Sequence, residues 1–358
     1  MKVNNKILVT AGGCVVPGAF SLESVKEIVF KKHSGENFPC PHSVENLENE
    51  AKQRIPAGIR RRMSRLSIMA GLSVEETIRM AKIEISGKEY ETGIVFGTGY
   101  GELDTTAKLF LQGLEEGMSP TLFHNSVHNA PVGYVCMMSG IRGPYIVVSD
   151  GHISGESAII RSLHLLEDNS CRFVLAGGGD ERYEFPLFVD PAQENIPGEG
   201  SAFLLLEREE DAVKRGACCL CEIKGWNFSS FPENPQNFMK RVDYLKKFLE
   251  DVAQTINGEK LAIFSSTVEG TTEEKVLLSA IENTFDGDVP IWHSSHIFGS
   301  WPSSGALRGV VAMLCLQNKN LPAGVKITDK KSEKIDNILI LGMDKSGDVG
   351  GIIFSSVE

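Results

Sequence analysis

Short apolar runs alternate with longer stretches of helical period from one end of the chain to the other. The runs at 6–9, 91–96, 145–149, 172–176, 202–206, 218–224, 261–265, 289–292, 337–342 and 351–355 are bounded by glycine, proline or polar residues and read as strands. Helical spacing predicts helices over 22–31, 67–81, 154–167, 238–256, 273–285 and 305–317. Ser21 introduces the first; the second is expected to break near Gly71 and restart with Ser73 as N-cap before Glu75 and Glu76. Gly12 and Gly13 are expected to end the first strand, and 41–50 to be a polar loop. The run at 145–149 reads as a buried strand, and 218–224 as the hairpin partner of 202–206. A polar stretch rich in Pro, Asn and Ser at 227–237 reads as a linker between a longer and a shorter part. Such alternation predicts an α/β protein whose sheets are covered on both faces.

The chain has 358 residues, 42% of them hydrophobic, which is ordinary for a globular protein with a large core. With 36 Lys and Arg against 47 Asp and Glu, its net charge is −11. That excess argues against a nucleic-acid binder, which needs a basic face for phosphates. No apolar stretch has the length of a membrane span. The run after Lys2 and Lys6 is too short for the core of a signal peptide, and Cys14 imitates a lipoprotein site only weakly, so a cytoplasmic location is expected. In that reducing setting the eight cysteines, at 14, 40, 136, 171, 218, 219, 221 and 315, are expected as free thiols. They show no paired CxxC spacing, so neither a metal centre nor a cofactor is expected. Most read as small buried apolar residues, with catalysis as the competing role of each.

Two glycine-rich segments follow strands. Gly97-Thr98-Gly99-Tyr100-Gly101 has the spacing GxGxG rather than that of a dinucleotide loop, and no acidic residue closes a following strand at the usual distance. Gly177-Gly178-Gly179-Asp180 is followed by Glu181, which would repel a phosphate. Sharp turns that need glycine dihedrals are the simpler reading of both.

An ordered set of segments carries a resemblance. Arg61-Arg62-Met63-Ser64-Arg65 leads into an apolar helix, and the 97–101 loop follows. Ser119-Pro120-Thr121-Leu122-Phe123 runs into Asn129-Ala130-Pro131-Val132-Gly133 and Gly140-Ile141-Arg142-Gly143-Pro144. Then come Leu175-Ala176-Gly177-Gly178-Gly179-Asp180 and the run from Gly198 to Glu207. In this order and spacing they resemble the β-ketoacyl synthases of the thiolase superfamily, closely over 1–226 and loosely over 227–358. The resemblance implies a thiolase-like five-layered αβαβα fold of two similar halves, 1–226 and 227–358, usually dimeric, and work on acyl chains tethered to acyl carrier protein.

Chemistry in that family rests on a cysteine at a strand-to-helix turn. It takes the acyl chain as a thioester while backbone N–H groups hold the oxyanion, and two histidines promote decarboxylation. The nucleophile turn falls on 149–155, and the cysteine position is His152. The first histidine position falls on Ser266 or Glu269, according to the register chosen. The second falls on Gly299 or Ser300, with His296 near the position of the accompanying lysine. The C-terminal gate loop, which carries a phenylalanine in the family, falls on 346–351 and has none here. No residue is therefore assigned a catalytic role, and the vestigial position His152 is the sharpest candidate.

At a helix N-terminus His152 would stay neutral, serving as a plug of the pocket or as a weak base. His296 and His293 read either as hydrogen-bonded loop residues or as groups facing the same cavity. The resemblance places Phe123, His124, His128 and Asn129 near the dimer interface and acyl pocket; the i,i+4 spacing of the two histidines is otherwise a poor metal pair. Arg60, Arg61, Arg62 and Arg65 form the one dense basic cluster, read as a solvated helix start or as a docking site for an acidic carrier protein. The whole points to a ketosynthase-like subunit without the Cys-His-His set. It would act as partner or chain-length factor of an active ketosynthase in type II fatty-acid, polyketide or aryl-polyene-like synthesis, as a heterodimer. The alternatives are an acyltransferase or decarboxylase using His152 or His296, and a homodimeric acyl-binding protein.

Overall fold

The computed structural model describes residues 6–31, 43–115, 117–183, 197–231, 237–286, 289–325 and 335–357. Its strands are β1 (Ile7–Val15), β2 (Thr92–Gly97), β3 (Tyr145–Val148), β4 (Phe173–Asp180), β5 (Gly200–Arg208), β6 (Cys221–Ser230), β7 (Leu261–Ser265), β8 (Ile291–His293), β9 (Asn337–Met343) and β10 (Asp348–Ser355). The helices of the first part are α1 (Leu22–Phe30), α2 (Leu47–Arg54), α3 (Ala57–Arg60), α4 (Arg65–Ala81), α5 (Leu103–Glu115), α6 (Pro120–Asn125), α7 (Ala130–Ser139), α8 (Ser154–Glu167) and α9 (Glu209–Arg215). Those of the second are α10 (Phe238–Ile256), α11 (Thr272–Glu282), α12 (Ser295–Phe298) and α13 (Gly305–Asn318).

The strands join in the order β3-β2-β4-β5-β1-β6-β10-β9-β7-β8. The order repeats about the β1–β6 contact, since β6 to β10 take the places of β1 to β5 in mirror sequence. Strand residues alternate between two cores, as a sheet buried on both faces requires. Leu204 and Leu206 of β5 face the middle core while Phe203 and Leu205 face the first outer one. Ile338 and Ile340 of β9 face the middle while Leu339 and Leu341 face the second outer one. Helices α8 and α13 fill the middle, α4 covers one outer face, and α10 with α11 covers the other. This is the five-layered thiolase-like arrangement. Across the middle layer Glu156 and Arg308, both with no exposed surface, form an ion pair between α8 and α13.

Several local expectations are corrected. β1 does not stop at Gly12 and Gly13. A Cβ on Gly13 would lie 2.5 Å from Ser73 O and 2.7 Å from Thr77 N, so this glycine serves the close approach of α4 to the strand. Helix α4 runs unbroken through Gly71. Its N-cap is Ser64, which accepts from the N–H of Ser67, and the Ser73 hydroxyl donates instead to Met69 O and Ser201 O at 2.9 and 3.0 Å. The loop expected at 41–50 gives way to α2 from Leu47, because Leu47 and Ala51 share a buried face; residues 41 and 42 lie outside the described ones. β6 is not the partner of β5: β1 lies between them. The stretch expected as a linker is strand to Ser230, paired with β10, and 232–236 lie outside the described residues. β3 is an edge strand, half-exposed, with Tyr145 at 55% exposure. Of the cysteines, 14, 171, 221 and 315 are buried, 136 and 219 partly so, and Cys218 is exposed; Cys40 lies outside the described residues.

Candidate functional site

The turn at 150–153 carries the chain from β3 into α8. Gly151 has φ of +53°, a region open to glycine, and a short 3-10 turn over Gly151–Ile153 sets the N–H of His152 outward. That N–H donates to Asp344 Oδ2 at 2.8 Å, and the N–H of Ser346 donates to Asp344 Oδ1 at 2.8 Å. Burial opposes the charge on Asp344, but these N–H groups outweigh it and hold the carboxyl below its ordinary range. The His152 ring meets Tyr100 edge-on with centroids 6.3 Å apart. His152 thus stands on the strand-to-helix turn, and the anion-accepting amide beneath it is already occupied by the chain's own carboxylate.

The 97–101 loop is closed in the same manner. Asp180 Oδ1 accepts from the Thr98 hydroxyl and the N–H groups of Gly99 and Tyr100 at 2.8, 2.9 and 3.0 Å. Its Oδ2 accepts from the N–H and hydroxyl of Ser303 at 2.9 and 2.7 Å. A buried carboxylate with five donors fills the nest that a phosphate would need.

In the second part, His293 ends β8 and is buried. Its Nδ1 donates to Thr267 O at 2.8 Å, and its Nε2 faces Glu274 Oε1 at 3.2 Å. The His296 ring lies 5.6 Å from it, and His296 Nε2 approaches Glu269 Oε2 at 3.4 Å with both side chains about half exposed. The structure therefore brings His296 and Glu269 together at the surface, where such a pair contributes little. Ser266 is drawn elsewhere: its hydroxyl accepts from the N–H of Met343 at 2.9 Å and ties β7 to the end of β9.

The arginine cluster divides. Arg65 Nε and Nη2 reach Glu199 at 2.9 and 2.5 Å, and Glu199 also accepts from Val44 N–H and the Ser43 hydroxyl. Burial opposes its charge, and Arg65 with these donors holds its pKa low. Arg60 donates to Ile55 O at 3.0 Å and so caps α2. Arg62 leans on Gly58 O, and both Arg61 and Arg62 are exposed. Phe123, His124, His128 and Asn129 are all exposed; His124 touches Asn125 and Tyr134, and the His128 ring covers Gly101. Sequence reasoning missed Asp344, Asp180 and Glu199 as anion fillers. The acidic residue directly after Gly177-Gly178-Gly179 was the available signal for Asp180; nothing local marks the other two.

Comparison with known proteins bears on this geometry. The family model "Beta-ketoacyl synthase, N-terminal domain" matches residues 36–195. Nodulation protein E of Rhizobium meliloti (strain 1021) is 27% identical over 189 residues, covering 47% of each chain. The 3-oxoacyl-[acyl-carrier-protein] synthase 2 of Synechocystis sp. is 23% identical over 257 residues, 62% of each. The chain thus matches about half the length of the first of these relatives. Among solved structures, the ishigamide ketosynthase/chain length factor superposes with a TM-score of 0.80 at 17% identity, over 99% of this chain and 100% of that one. A beta-ketoacyl synthase from Burkholderia phymatum STM815 gives 0.77 at 17%, with the same coverage. No helix among the described residues is long and apolar enough to cross a membrane.

Proposed function

We propose that this protein is a member of the β-ketoacyl synthase family and, within it, a ketosynthase-like subunit without the Cys-His-His set. It acts as the partner, of chain-length-factor type, of an active β-ketoacyl synthase in cytoplasmic type II fatty-acid, polyketide or aryl-polyene-like synthesis. The reading rests above all on the turn at the start of α8. His152, the residue that the sequence resemblance aligns with the family's nucleophile, lies on that turn, and its N–H, which in this reading would stabilise an oxyanion, donates to Asp344. An acyl thioester has neither a thiol to form on nor an empty amide to polarise its carbonyl.

A second feature supports association. β3 has a strand on one side only, and eight of the fourteen exposed large hydrophobics among the described residues lie between 110 and 145. They include Phe110, Leu114, Met118 and Phe123, each more than 60% exposed. An open edge strand beside such a surface is what a partner sheet would cover. The likeness to a solved ketosynthase/chain length factor agrees with this. The chain divides into similar halves, 1–226 and 227–358, by duplication of the strand order, and exposed Arg61 and Arg62 are the residues offered to an acidic acyl carrier protein.

The test is co-expression with a complete Cys-His-His ketosynthase encoded beside it. Co-purification as a one-to-one complex supports the reading. A stable homodimer that ignores such ketosynthases refutes it, and turnover of malonyl-carrier by the isolated chain, lost in His152→Ala, assigns it to an altered enzyme instead.

A further inference from the structure

A cleft of about 790 Å³ opens between the start of α4, the start of α5, α6 and the end of β4. Its size suits a small molecule, and its lining is charged rather than apolar. At its base sit Glu181, 4% exposed, and Asp104, 8% exposed. Glu181 Oε1 and Asp104 Oδ1 have no hydrogen-bond partner among the described residues, nor does the Tyr183 hydroxyl beside them. Buried polar atoms of this kind are rare without a partner and mark a place where one is supplied. The other oxygen of Asp104 is met by the ammonium of Lys108, which shows the chemistry the base accepts. Behind it Glu102, whose pKa burial pushes up to about 7, adds to the negative field as it ionises. The rim has the opposite sign: Arg61, Arg62 and Arg182 all line it and are exposed. The described acidic, histidine and cysteine side chains form no three-ligand group suited to a metal ion.

We propose that this cleft binds a small zwitterion, a compound with a protonated amine at one end and a carboxylate or similar acid at the other. The ammonium sits between Asp104 Oδ1 and Glu181 Oε1, supplying the donors those oxygens lack. The acid group lies on the guanidinium groups of Arg61, Arg62 and Arg182. A hydroxyl in place of the amine offers a single donor and leaves one of the two oxygens unmet. A bare acyl chain would bury these polar atoms against hydrocarbon. The cleft shares α5, α6, Arg61 and Arg62 with the surfaces offered above to a partner subunit and a carrier protein, so its test uses the isolated chain, whose outcome does not depend on either.

Isothermal titration calorimetry of the full chain decides the matter, with β-alanine and 4-aminobutyrate as probes and butyrate and propylamine as their halves. The amino acids should bind, with each half at least tenfold weaker. Burial and the neighbouring Glu102 and Asp104 oppose the charge on Glu181, which a bound ammonium would stabilise; Glu181→Gln keeps the shape of the side chain but cannot take up that charge, and should weaken amino-acid binding at least tenfold. The double variant Arg61→Ala with Arg62→Ala, on exposed positions and checked for an unchanged melting temperature, should do the same. Butyrate binding as tightly as 4-aminobutyrate, full binding by a folded Glu181→Gln or by the double arginine variant, or no heat from either amino acid at millimolar concentration overturns the proposal.

Discussion

Replacing Asp344 by alanine removes the acceptor of two N–H groups, those of His152 and Ser346, each at 2.8 Å. Hydrogen bonds to a charged acceptor contribute about 1.5–3 kcal/mol each when buried. Asp344 is half-buried, so the lower end applies, and the pair together should be worth about 2–4 kcal/mol. For a chain of this size that corresponds to a fall in melting temperature of roughly 3–5 °C. Asp344→Asn keeps the shape and one acceptor oxygen and should lose about half as much. The sign of the pH dependence follows from the direction of the shift. The folded carboxyl titrates below its ordinary value of 3.8, so its contribution is fully present above that value and is lost as pH falls through the lower, folded one. The gap between wild type and Asp344→Asn should be constant from about pH 8 to pH 5 and close below about pH 4. Urea unfolding followed by tryptophan fluorescence reads both quantities. A Asp344→Ala variant within about 0.5 kcal/mol of wild type at pH 7, the scatter of neutral surface changes, or a gap that widens in acid, would refute the reasoning.

Other variants test the remaining geometry. His152→Cys should give a poorly nucleophilic thiol, because the Asp344 carboxylate beside its amide opposes a thiolate; iodoacetamide alkylation should be roughly tenfold faster in the double variant with Asp344→Ala, about one pKa unit. Arg65→Ala leaves Glu199 buried beside its remaining neutral donors and should cost about 3–5 kcal/mol, whereas Arg61→Ala and Arg62→Ala should each stay within about 0.5 kcal/mol; chemical denaturation separates the two outcomes. Glu156→Gln breaks a pair with no exposed surface and should cost about 3–5 kcal/mol, and replacing both Glu156 and Arg308 by Met should cost less than either single change. Phe110→Glu with Phe123→Glu should leave melting unchanged and abolish association with any partner in size-exclusion chromatography, since both rings are exposed in the isolated chain.

Part of the site was legible before folding. The β-branched run at 145–149 and the helical period from 154 bracket a strand-to-helix turn, the resemblance aligns 149–155 with the family's nucleophile turn, and His152 stands on it. The strand at 261–265 and the helices at 154–167 and 238–256 were found with their observed bounds, because apolar period is strongest where both flanks are polar. Glycine misled the reading at 12, 13 and 71. A glycine that breaks a strand and one that admits a neighbouring helix look alike in one dimension, and Gly13 is of the second kind. The arginine cluster misled for a related reason. Four like side chains close in sequence suggest one surface, yet Arg65 and Arg60 turn inward to Glu199 and Ile55 while Arg61 and Arg62 remain outside.

The sequence by itself determined the layers. Period-two alternation in the strands forces a covering on each face, and the chain supplies helices in the order needed to provide it. Tertiary structure decided what the loops hold. Asp180 reaches across to Ser303, Asp344 to His152, and Glu199 to Arg65. An amide at a turn attracts any anion that arrives there, and which carboxylate arrives depends on the crossing of segments more than a hundred residues apart. The same crossing leaves Glu181 and Asp104 buried without partners.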